Sequence, residues 1–287
     1  MSRQISPREH EWFERMVVPV SQFPPDSFVV AEVRSSPNFG ERKSKIDMLL
    51  LHYTGMPDAG AAVKYLCSAG TEVSAHYVVL EDGHIIQCVP EAYRAWHAGQ
   101  SSWGAETDIN SCSIGIEIAN PGHDLGYPEF PRRQIAAVIA LCRGIFTRHE
   151  IPPDRVLAHS DVAPGRKRDP GEKFPWRLLH ESGIGLWVKP APIVAGPIFA
   201  LGDRDPAIEE LQRLLARFGY GMSPSSYLDG TTRDAIAAFQ RHFRPLKVDG
   251  VFDVSTLETL RMVLAARDQA RAQATAEKVL YPQPANS

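Results

Sequence analysis

The 287-residue sequence is poor in cysteine, lacks a long uninterrupted apolar run and carries little net charge. Its thiols, Cys67, Cys88, Cys112 and Cys142, lie far apart and form no C-x-x-C pair. This argues against a disulfide framework and favours reduced core thiols in a cytoplasmic protein. Prolines and acidic residues interrupt the first thirty residues, so no signal peptide or membrane span is predicted. An export signal preceding this sequence would instead place the protein in the periplasm or envelope.

The net charge of -3 gives no general attraction to nucleic acid or to anionic membranes. The basic run Arg166-Lys167-Arg168 has too few other basic clusters around it to support nucleic-acid binding. We therefore expect neither a nucleic-acid partner nor a membrane span.

The N-terminal part alternates strand-like and helix-like segments, which predicts an α/β sheet domain. Residues 46–52 are a mostly apolar run that contains Asp47 and ends in a histidine, as is typical of a central strand buried on both faces. Asp82-Gly83 predicts a hairpin turn. The predicted strands are residues 46–52, 76–80, 84–89, 113–119 and 156–159.

Apolar residues recur at helical spacing from Pro131, a favoured first helical residue, to His149, which predicts a helix packed on the sheet. Residues 185–200 contain three prolines and few charges, and we interpret them as a linker. Only helices are predicted after it. Asp229-Gly230 and Asp249-Gly250 precede the second and third of these, with Thr231 and Asp253 as the predicted caps.

The predicted organisation has five parts. They are an N-terminal extension (1–40), the α/β domain (41–184), the linker (185–200), a small three-helix domain (201–268) and a C-terminal tail (269–287) that prolongs the last helix and frays from residue 281.

His52, His159 and Asp169 are interpreted as one metal site. A catalytic zinc needs about three protein ligands and one position open to water, and two imidazoles with a carboxylate satisfy that need. Both histidines end predicted strands, and Asp169 follows His159 by ten positions on a loop bounded by proline and glycine. The alternative for each histidine alone is a hydrogen-bonded residue of the core or sheet edge.

Glu117 lies on a strand whose isoleucines occupy the opposite face, between the small residues Gly115 and Ala119. Beside a zinc-bound water its carboxylate would act as a general acid-base, and Lys167 would stabilise the oxyanion formed when an amide is attacked. The alternatives are a solvated face of an edge strand for Glu117 and a solvated basic loop for Lys167.

Five blocks in the same order resemble the type 2 N-acetylmuramoyl-L-alanine amidases, a family that includes phage amidase-type lysozymes and peptidoglycan recognition proteins. The resemblance covers roughly residues 45–180. The blocks are Leu51-His52-Tyr53-Thr54, Ser74-Ala75-His76-Tyr77, Ala95-Trp96-His97-Ala98-Gly99, residues 113–117 and residues 160–171.

The resemblance implies a mixed central sheet flanked by helices. It also implies zinc held by His52, His159 and Asp169, with Glu117 as catalytic carboxylate and Lys167 stabilising the transition state. His76 and His97 match family histidines that are not ligands, so we expect them around the substrate. Tyr53 and Trp96 would offer ring faces to sugar or peptide, the alternative being that they belong to the core.

The three-helix segment resembles the peptidoglycan-binding module of wall hydrolases, through Asp229-Gly230, Ala238-Phe239-Gln240 and Asp249-Gly250. Such a module would hold the substrate near the active site and raise its effective concentration. Cytosolic family members acting on recycled 1,6-anhydro-muropeptides usually lack this module, whereas envelope members that have it usually carry an export signal. The sequence therefore leaves both peptidoglycan and its muropeptide fragments as partners.

The function expected from these residues is zinc-dependent hydrolysis of the amide between (anhydro-)N-acetylmuramic acid and L-alanine. Two alternatives are kept: a muropeptide receptor without catalytic activity, and a zinc peptidase that cuts within the stem peptide.

Overall fold

A computed structural model of the protein describes residues 23–280, except the side chains of residues 278 and 279. Residues 1–22 of the predicted extension and the predicted frayed segment 281–287 lie outside the described residues. The strands are β1 (Glu32–Val33), β2 (Phe39–Glu41), β3 (Met48–Tyr53), β4 (Tyr77–Val79), β5 (Ile85–Gln87), β6 (Tyr93–Ala95), β7 (Ser113–Ile118), β8 (Val156–Ala158), β9 (Ile198–Phe199) and β10 (Phe252–Asp253). The helices are α1 (Ala59–Leu66), α2 (Ile109–Cys112), α3 (Arg132–Arg148), α4 (His159–Val162), α5 (Trp176–Glu181), α6 (Pro206–Phe218), α7 (Gly230–Phe243) and α8 (Val254–Leu280).

The central sheet has six strands in the order β1-β5-β4-β7-β3-β8. β4 and β5 form the predicted antiparallel hairpin, and the other neighbouring strands run parallel. The mixed sheet flanked by helices is therefore confirmed. β2 with β6 and β9 with β10 form two further small ribbons.

Strand β3 is buried on both faces, which explains the four consecutive apolar residues at 48–51. Leu49 and Leu51 face helix α3, in a core that includes the isoleucines of β7. Met48 and Leu50 face the other way, into a core shared with the C-terminal helices. Alternation along one strand thus divides its side chains between two hydrophobic layers.

The C-terminal helices form a layer of the same molecule rather than a separate core. One buried cluster joins residues of the sheet to residues of α6, α7 and α8. Trp103 packs edge-on against Phe218 and Tyr220, with ring centroids 5.3 and 5.0 Å apart. Gly219 allows this approach, because a Cβ there would lie 2.2 Å from the indole.

The linker interpretation of residues 185–200 is incomplete. Leu186 is buried in the shared core, and the amide of Ala191 donates to Thr259 Oγ1 at 3.0 Å. Phe199 pairs with Phe252 in an antiparallel ribbon, so the expectation of helices only after the linker is wrong. Short strands of two residues give too little alternation to be recognised in sequence.

Two helix boundaries differ from the prediction. Asp229, not Thr231, caps α7, since its carboxylate accepts from the amide of Thr232 at 2.7 Å. Asp253 caps α8 as predicted, accepting from Thr256 at 2.8 Å. α3 begins at Arg132, with Pro131 at the N-cap position. α8 continues to Leu280, so residues after 268 prolong the last helix as predicted.

No helix within residues 23–280 is both long enough and apolar enough to cross a bilayer.

We expect the shared core to make unfolding a single transition. Leu50→Ala removes side-chain volume between the sheet and the C-terminal helices and should cost about 3 kcal/mol. Scanning calorimetry should show one peak, displaced as a whole to lower temperature. Leu51→Ala, which faces α3 instead, should displace the same single peak. Two separate peaks, of which only one moves, would contradict the shared core.

Candidate functional site

The predicted metal-binding residues meet at the carboxyl edge of three parallel strands. His52 lies near the end of β3, and Glu117 is its direct partner on β7. His159 follows β8, where it begins helix α4 instead of ending the strand as predicted. The amide of Ser160 donates to the carbonyl of Asp169 at 3.0 Å, which ties the loop of Asp169 to His159. Parallel strands thus assemble residues that are distant in sequence.

One donor atom from each of His52, His159 and Asp169 points to a common centre. His52 Nδ1 lies 2.9 Å from His159 Nδ1 and 3.1 Å from Asp169 Oδ2, and His159 Nδ1 lies 3.0 Å from the same oxygen. All three residues are buried. Ligand bonds of about 2.0–2.1 Å in tetrahedral geometry imply roughly 3.3 Å between ligand atoms, close to these separations. The group fits a divalent metal.

Hydrogen bonds on the far side of His159 fix its tautomer. His159 Nε2 lies 3.0 Å from the carbonyl oxygen of Ala98, which only accepts. Nε2 therefore carries the proton and donates it, which leaves the Nδ1 lone pair directed at the common centre. This is the orientation that a metal-binding histidine needs.

A longer chain of hydrogen bonds fixes His52. The hydroxyl of Ser113 donates to the carbonyl of Ile109 at 2.5 Å, so its oxygen accepts from His97 Nε2 at 3.3 Å. His97 Nδ1 is then an acceptor, and His52 Nε2 donates to it at 3.1 Å. The His52 Nδ1 lone pair is thereby left for the metal.

With these tautomers, the Nδ1 lone pairs of His52 and His159 and Oδ2 of Asp169 converge, and no proton lies between them. Burial, followed by the neighbouring His159, lowers the pKa of His52 to about 4, so its imidazole is neutral near pH 7. Neutral imidazoles and an ionised carboxylate are the protonation states that bind a metal. A cation at the centre would offset their mutual repulsion.

Glu117 lies beside this centre in an unusual environment. Its Oε2 is buried and has no hydrogen-bond partner among the described residues. Burial is the largest cause that raises the pKa of Glu117 well above its ordinary value, and the charge of Asp169 adds to it while Lys167 opposes it. A carboxyl group with a raised pKa and an unpaired oxygen is suited to exchanging a proton.

A cavity of about 340 Å³ opens over these residues. The structure brings most of the predicted site residues to it: its lining includes Glu117, His159, Lys167 and Asp169 of the predicted catalytic and metal set. Tyr53, Trp96 and His97 of the predicted substrate-binding set line it too. Tyr53 donates or accepts a 3.0 Å hydrogen bond with His123 Nδ1, which limits the movement of its ring.

His76 does not lie where its predicted role requires. Its side chain is completely buried and is absent from the cavity lining. Nδ1 accepts from the amide of Gly115 at 2.9 Å, and Nε2 donates to the carbonyl of Tyr93 at 3.0 Å. Because both ring nitrogens are hydrogen-bonded within the fold, His76 stabilises the sheet behind the cavity. The structure therefore contradicts the expectation that His76 lies around the substrate.

The sequence patterns did not predict that Asn110 and Arg166 support the site. Asn110 Oδ1 accepts from the amides of His97 and Ala98, at 3.0 and 2.8 Å. Arg166 Nη2 donates to the carbonyl of Ala98 at 2.6 Å. Both hold the backbone that orients the metal-binding histidines. These contacts run through irregular loops, where no sequence periodicity reveals them.

We expect Gly115→Ala to damage the metal site through His97. A Cβ at position 115 would lie 2.4 Å from the His97 ring, which must then move away from His52. Loss of such a supporting contact typically lowers metal affinity about 10–100-fold. Gly230→Ala is the matched control, because a Cβ there meets nothing within 4 Å. Competition with a metal chelator measures both variants, and an unchanged affinity in Gly115→Ala would contradict the chain of contacts.

Comparison with known proteins identifies the family. Residues 42–172 match the N-acetylmuramoyl-L-alanine amidase family, and residues 204–260 match a peptidoglycan binding domain. AmiD of Escherichia coli, named an N-acetylmuramoyl-L-alanine amidase, is 38% identical over 231 residues, which cover 74% of this chain and 80% of AmiD. AmpD of Citrobacter freundii, named a 1,6-anhydro-N-acetylmuramyl-L-alanine amidase, is 39% identical over 125 residues, 43% of this chain and 64% of AmpD.

Two solved structures support the same relationship over most of the chain. A complex of Escherichia coli AmiD with the substrate anhydro-N-acetylmuramic acid-L-Ala-D-gamma-Glu-L-Lys has a TM-score of 0.65 at 34% identity, covering 79% of this chain and 97% of that one. AmpDh3 of Pseudomonas aeruginosa, in complex with an anhydromuramic pentapeptide, has a TM-score of 0.63 at 31% identity, covering 85% and 98%. The chain belongs to the N-acetylmuramoyl-L-alanine amidase family and carries a C-terminal peptidoglycan binding domain.

Proposed function

We propose that this protein hydrolyses the amide bond between the lactyl group of (anhydro-)N-acetylmuramic acid and L-alanine, with zinc held by His52, His159 and Asp169. The observation that carries the proposal is the convergence of the donor atoms of His52, His159 and Asp169 next to a cavity lined by Glu117, in a chain related to AmiD. The structures of AmiD and AmpDh3 contain bound anhydro-muropeptides. This supports muropeptide fragments that carry an anhydro-sugar as the substrate class of this protein.

The donor set favours zinc among the common divalent ions. Two imidazoles and one carboxylate suit zinc, whereas calcium and magnesium prefer oxygen ligands. When bound at such a site, zinc supplies Lewis-acid activation of water and polarisation of the amide carbonyl.

Glu117 is proposed as the proton carrier. Its raised pKa and unpartnered oxygen support acceptance of a proton from the attacking water. The protonated carboxyl then donates to the nitrogen of L-alanine as the amide bond breaks. This transfer lets the alanine leave as a neutral amine instead of an amide anion.

Lys167 is proposed to stabilise the negative charge that develops on the amide oxygen. Its side chain lines the cavity and forms no salt bridge within residues 23–280. An ammonium group without a salt-bridge partner is available to interact with the oxyanion. Tyr53 and Trp96 are proposed to place their rings against the sugar or stem peptide. His97 is proposed to act chiefly through its contact with His52.

The domain organisation proposed here keeps an amidase domain at residues 41–184 and a peptidoglycan-binding module at 201–268, with the last helix extending beyond it. The family matches at 42–172 and 204–260 support this division. The module is proposed to bind peptidoglycan or its larger fragments.

Two variants test the chemical roles. Glu117→Gln removes the proton carrier and should lower kcat about 10²–10⁴-fold, and Lys167→Met should lower it about 10²–10³-fold. Both should retain stoichiometric zinc, because neither side chain is a proposed ligand. Lys64→Met is the control, since Lys64 is exposed on α1. Mass spectrometry of a zinc-loaded reaction with an anhydro-muropeptide gives the rates.

The masses of the products separate the alternatives. Release of an intact peptide beginning with L-alanine supports the amidase. Intact muropeptide that nevertheless binds to the protein would identify a receptor, and fragments cut between stem residues would identify a peptidase. Full activity in Glu117→Gln would refute the proposed proton transfer.

We also propose that the protein works in a reducing compartment. The four cysteines are free, and Cys112 and Cys142 are buried. Cys67 packs against the cluster that contains Cys88, and the interaction of these two side chains lowers the pKa of Cys67. Two adjoining thiols would be readily oxidised to a disulfide in an oxidising compartment.

Alkylation of the thiols before cell lysis, followed by mass spectrometry, tests the compartment. When the protein is unfolded in the presence of the alkylating agent, we expect both Cys67 and Cys88 to be alkylated, as reduced thiols would be. A Cys67–Cys88 disulfide in protein from its native cells would contradict a reducing compartment. Cys142, which is completely buried, serves as the internal control for complete unfolding and labelling.

A further inference from the structure

The carboxylate of Asp161 is buried where the C-terminal module meets the metal-binding segment. It lies on α4, two residues after His159, and its side chain is completely inaccessible. Oδ2 accepts from the amide of Ala158 at 2.9 Å, so Asp161 holds the backbone immediately before His159. This carboxylate therefore fixes the junction at which β8 becomes α4.

The C-terminal module supplies the other two partners of this carboxylate. The hydroxyl of Tyr220 donates to Oδ1 at 2.7 Å, and His242 Nδ1 donates to Oδ2 at 2.7 Å. A buried carboxylate without partners is costly, so these contacts determine where the Asp161 side chain lies. Through Asp161 the module acts on the segment that carries His159.

His242 also contacts the segment that follows Asp169. Its ring stacks on Trp176, the first residue of α5, at a centroid distance of 3.7 Å. On the module side it stacks on Phe243 at 4.0 Å. One ring of the module therefore touches both the helix that begins with His159 and the helix that follows Asp169.

Simple packing does not explain a histidine at this position. His242 Nε2 is buried and has no hydrogen-bond partner among the described residues. An apolar ring would fill the space without leaving a buried polar atom unpaired, which is energetically unfavourable. The other ring nitrogen, Nδ1, donates to Asp161, and this contact is what an apolar ring could not make.

We propose that Asp161, Tyr220 and His242 are positioning residues through which the C-terminal module holds the metal ligand His159 in place. The module is then part of the metal site's support, in addition to any binding of polymer. This inference rests on the proposed function, because it assigns His159 as a ligand.

The test measures zinc affinity in the full chain by competition with a chelator. Tyr220→Phe removes one hydroxyl, and His242→Leu removes the donor to Asp161. Each should weaken zinc binding about tenfold, as is typical of groups that orient ligands. His242→Asn, whose amide can still donate to Asp161, should recover most of the affinity. If His242→Leu does not fold, the zinc affinity of Tyr220→Phe alone tests the proposal.

The control is an interface variant that does not reach α4. Arg271→Ala breaks the contact of Arg271 with the buried Asp154, at 2.5 Å across the same two parts of the chain. It should lower the unfolding temperature without changing zinc affinity. The proposal is overturned if Tyr220→Phe and His242→Leu lose stability like this control yet bind zinc within about twofold of the wild type.

The same measurements separate this inference from the proposed function. Wild-type protein that binds no zinc would refute the proposed zinc enzyme, and with it the positioning role. Wild-type protein that binds zinc, with variants of unchanged affinity, would refute only the positioning role.

Discussion

The double burial of strand β3 is the constraint on which the site depends. Its alternate residues are fixed by two different cores, Leu49 and Leu51 by α3 and Met48 and Leu50 by the C-terminal helices. A slip of one residue would exchange these faces, so the register is strongly determined. The same register places His52 directly opposite Glu117 on β7. Hydrophobic packing of the residues just before His52 thus aligns the proposed metal ligand with the proposed proton carrier.

Much of this arrangement was predictable because it follows from periodicity. The apolar run at 46–52, the alternation at 113–119 and the Asp-Gly turn each determine a local structure by themselves. Once two parallel strands are adjacent, their carboxyl ends share an edge, and His52, Glu117 and His159 must approach one another. Predicting the His52, His159 and Asp169 group required only the further inference that Asp169 returns to this edge on its loop.

The sequence-based predictions fail where contacts between distant parts of the chain determine the structure. His76 and His97 look alike in sequence, each beside an aromatic residue, yet one is enclosed by Gly115 and Tyr93 and the other lines the cavity. Residues 185–200 have the composition of a linker, but Leu186 and Phe199 are held by partners far along the chain. The pairing of Asp161 with Tyr220 and His242 spans 59 and 81 residues. No local pattern encodes such contacts.

The shared core changes what a peptidoglycan-binding module does for this enzyme. A module on a flexible tether raises the local concentration of substrate and leaves the chemistry to its neighbour. Here the module covers one face of the catalytic sheet and hydrogen-bonds to the helix that begins with His159. Ligand geometry at a metal site tolerates only small displacements, so any shift of the module relative to the sheet is transmitted to His159 through Asp161. Under the proposed positioning role, the module and the metal site are therefore connected by direct contacts, not only by proximity.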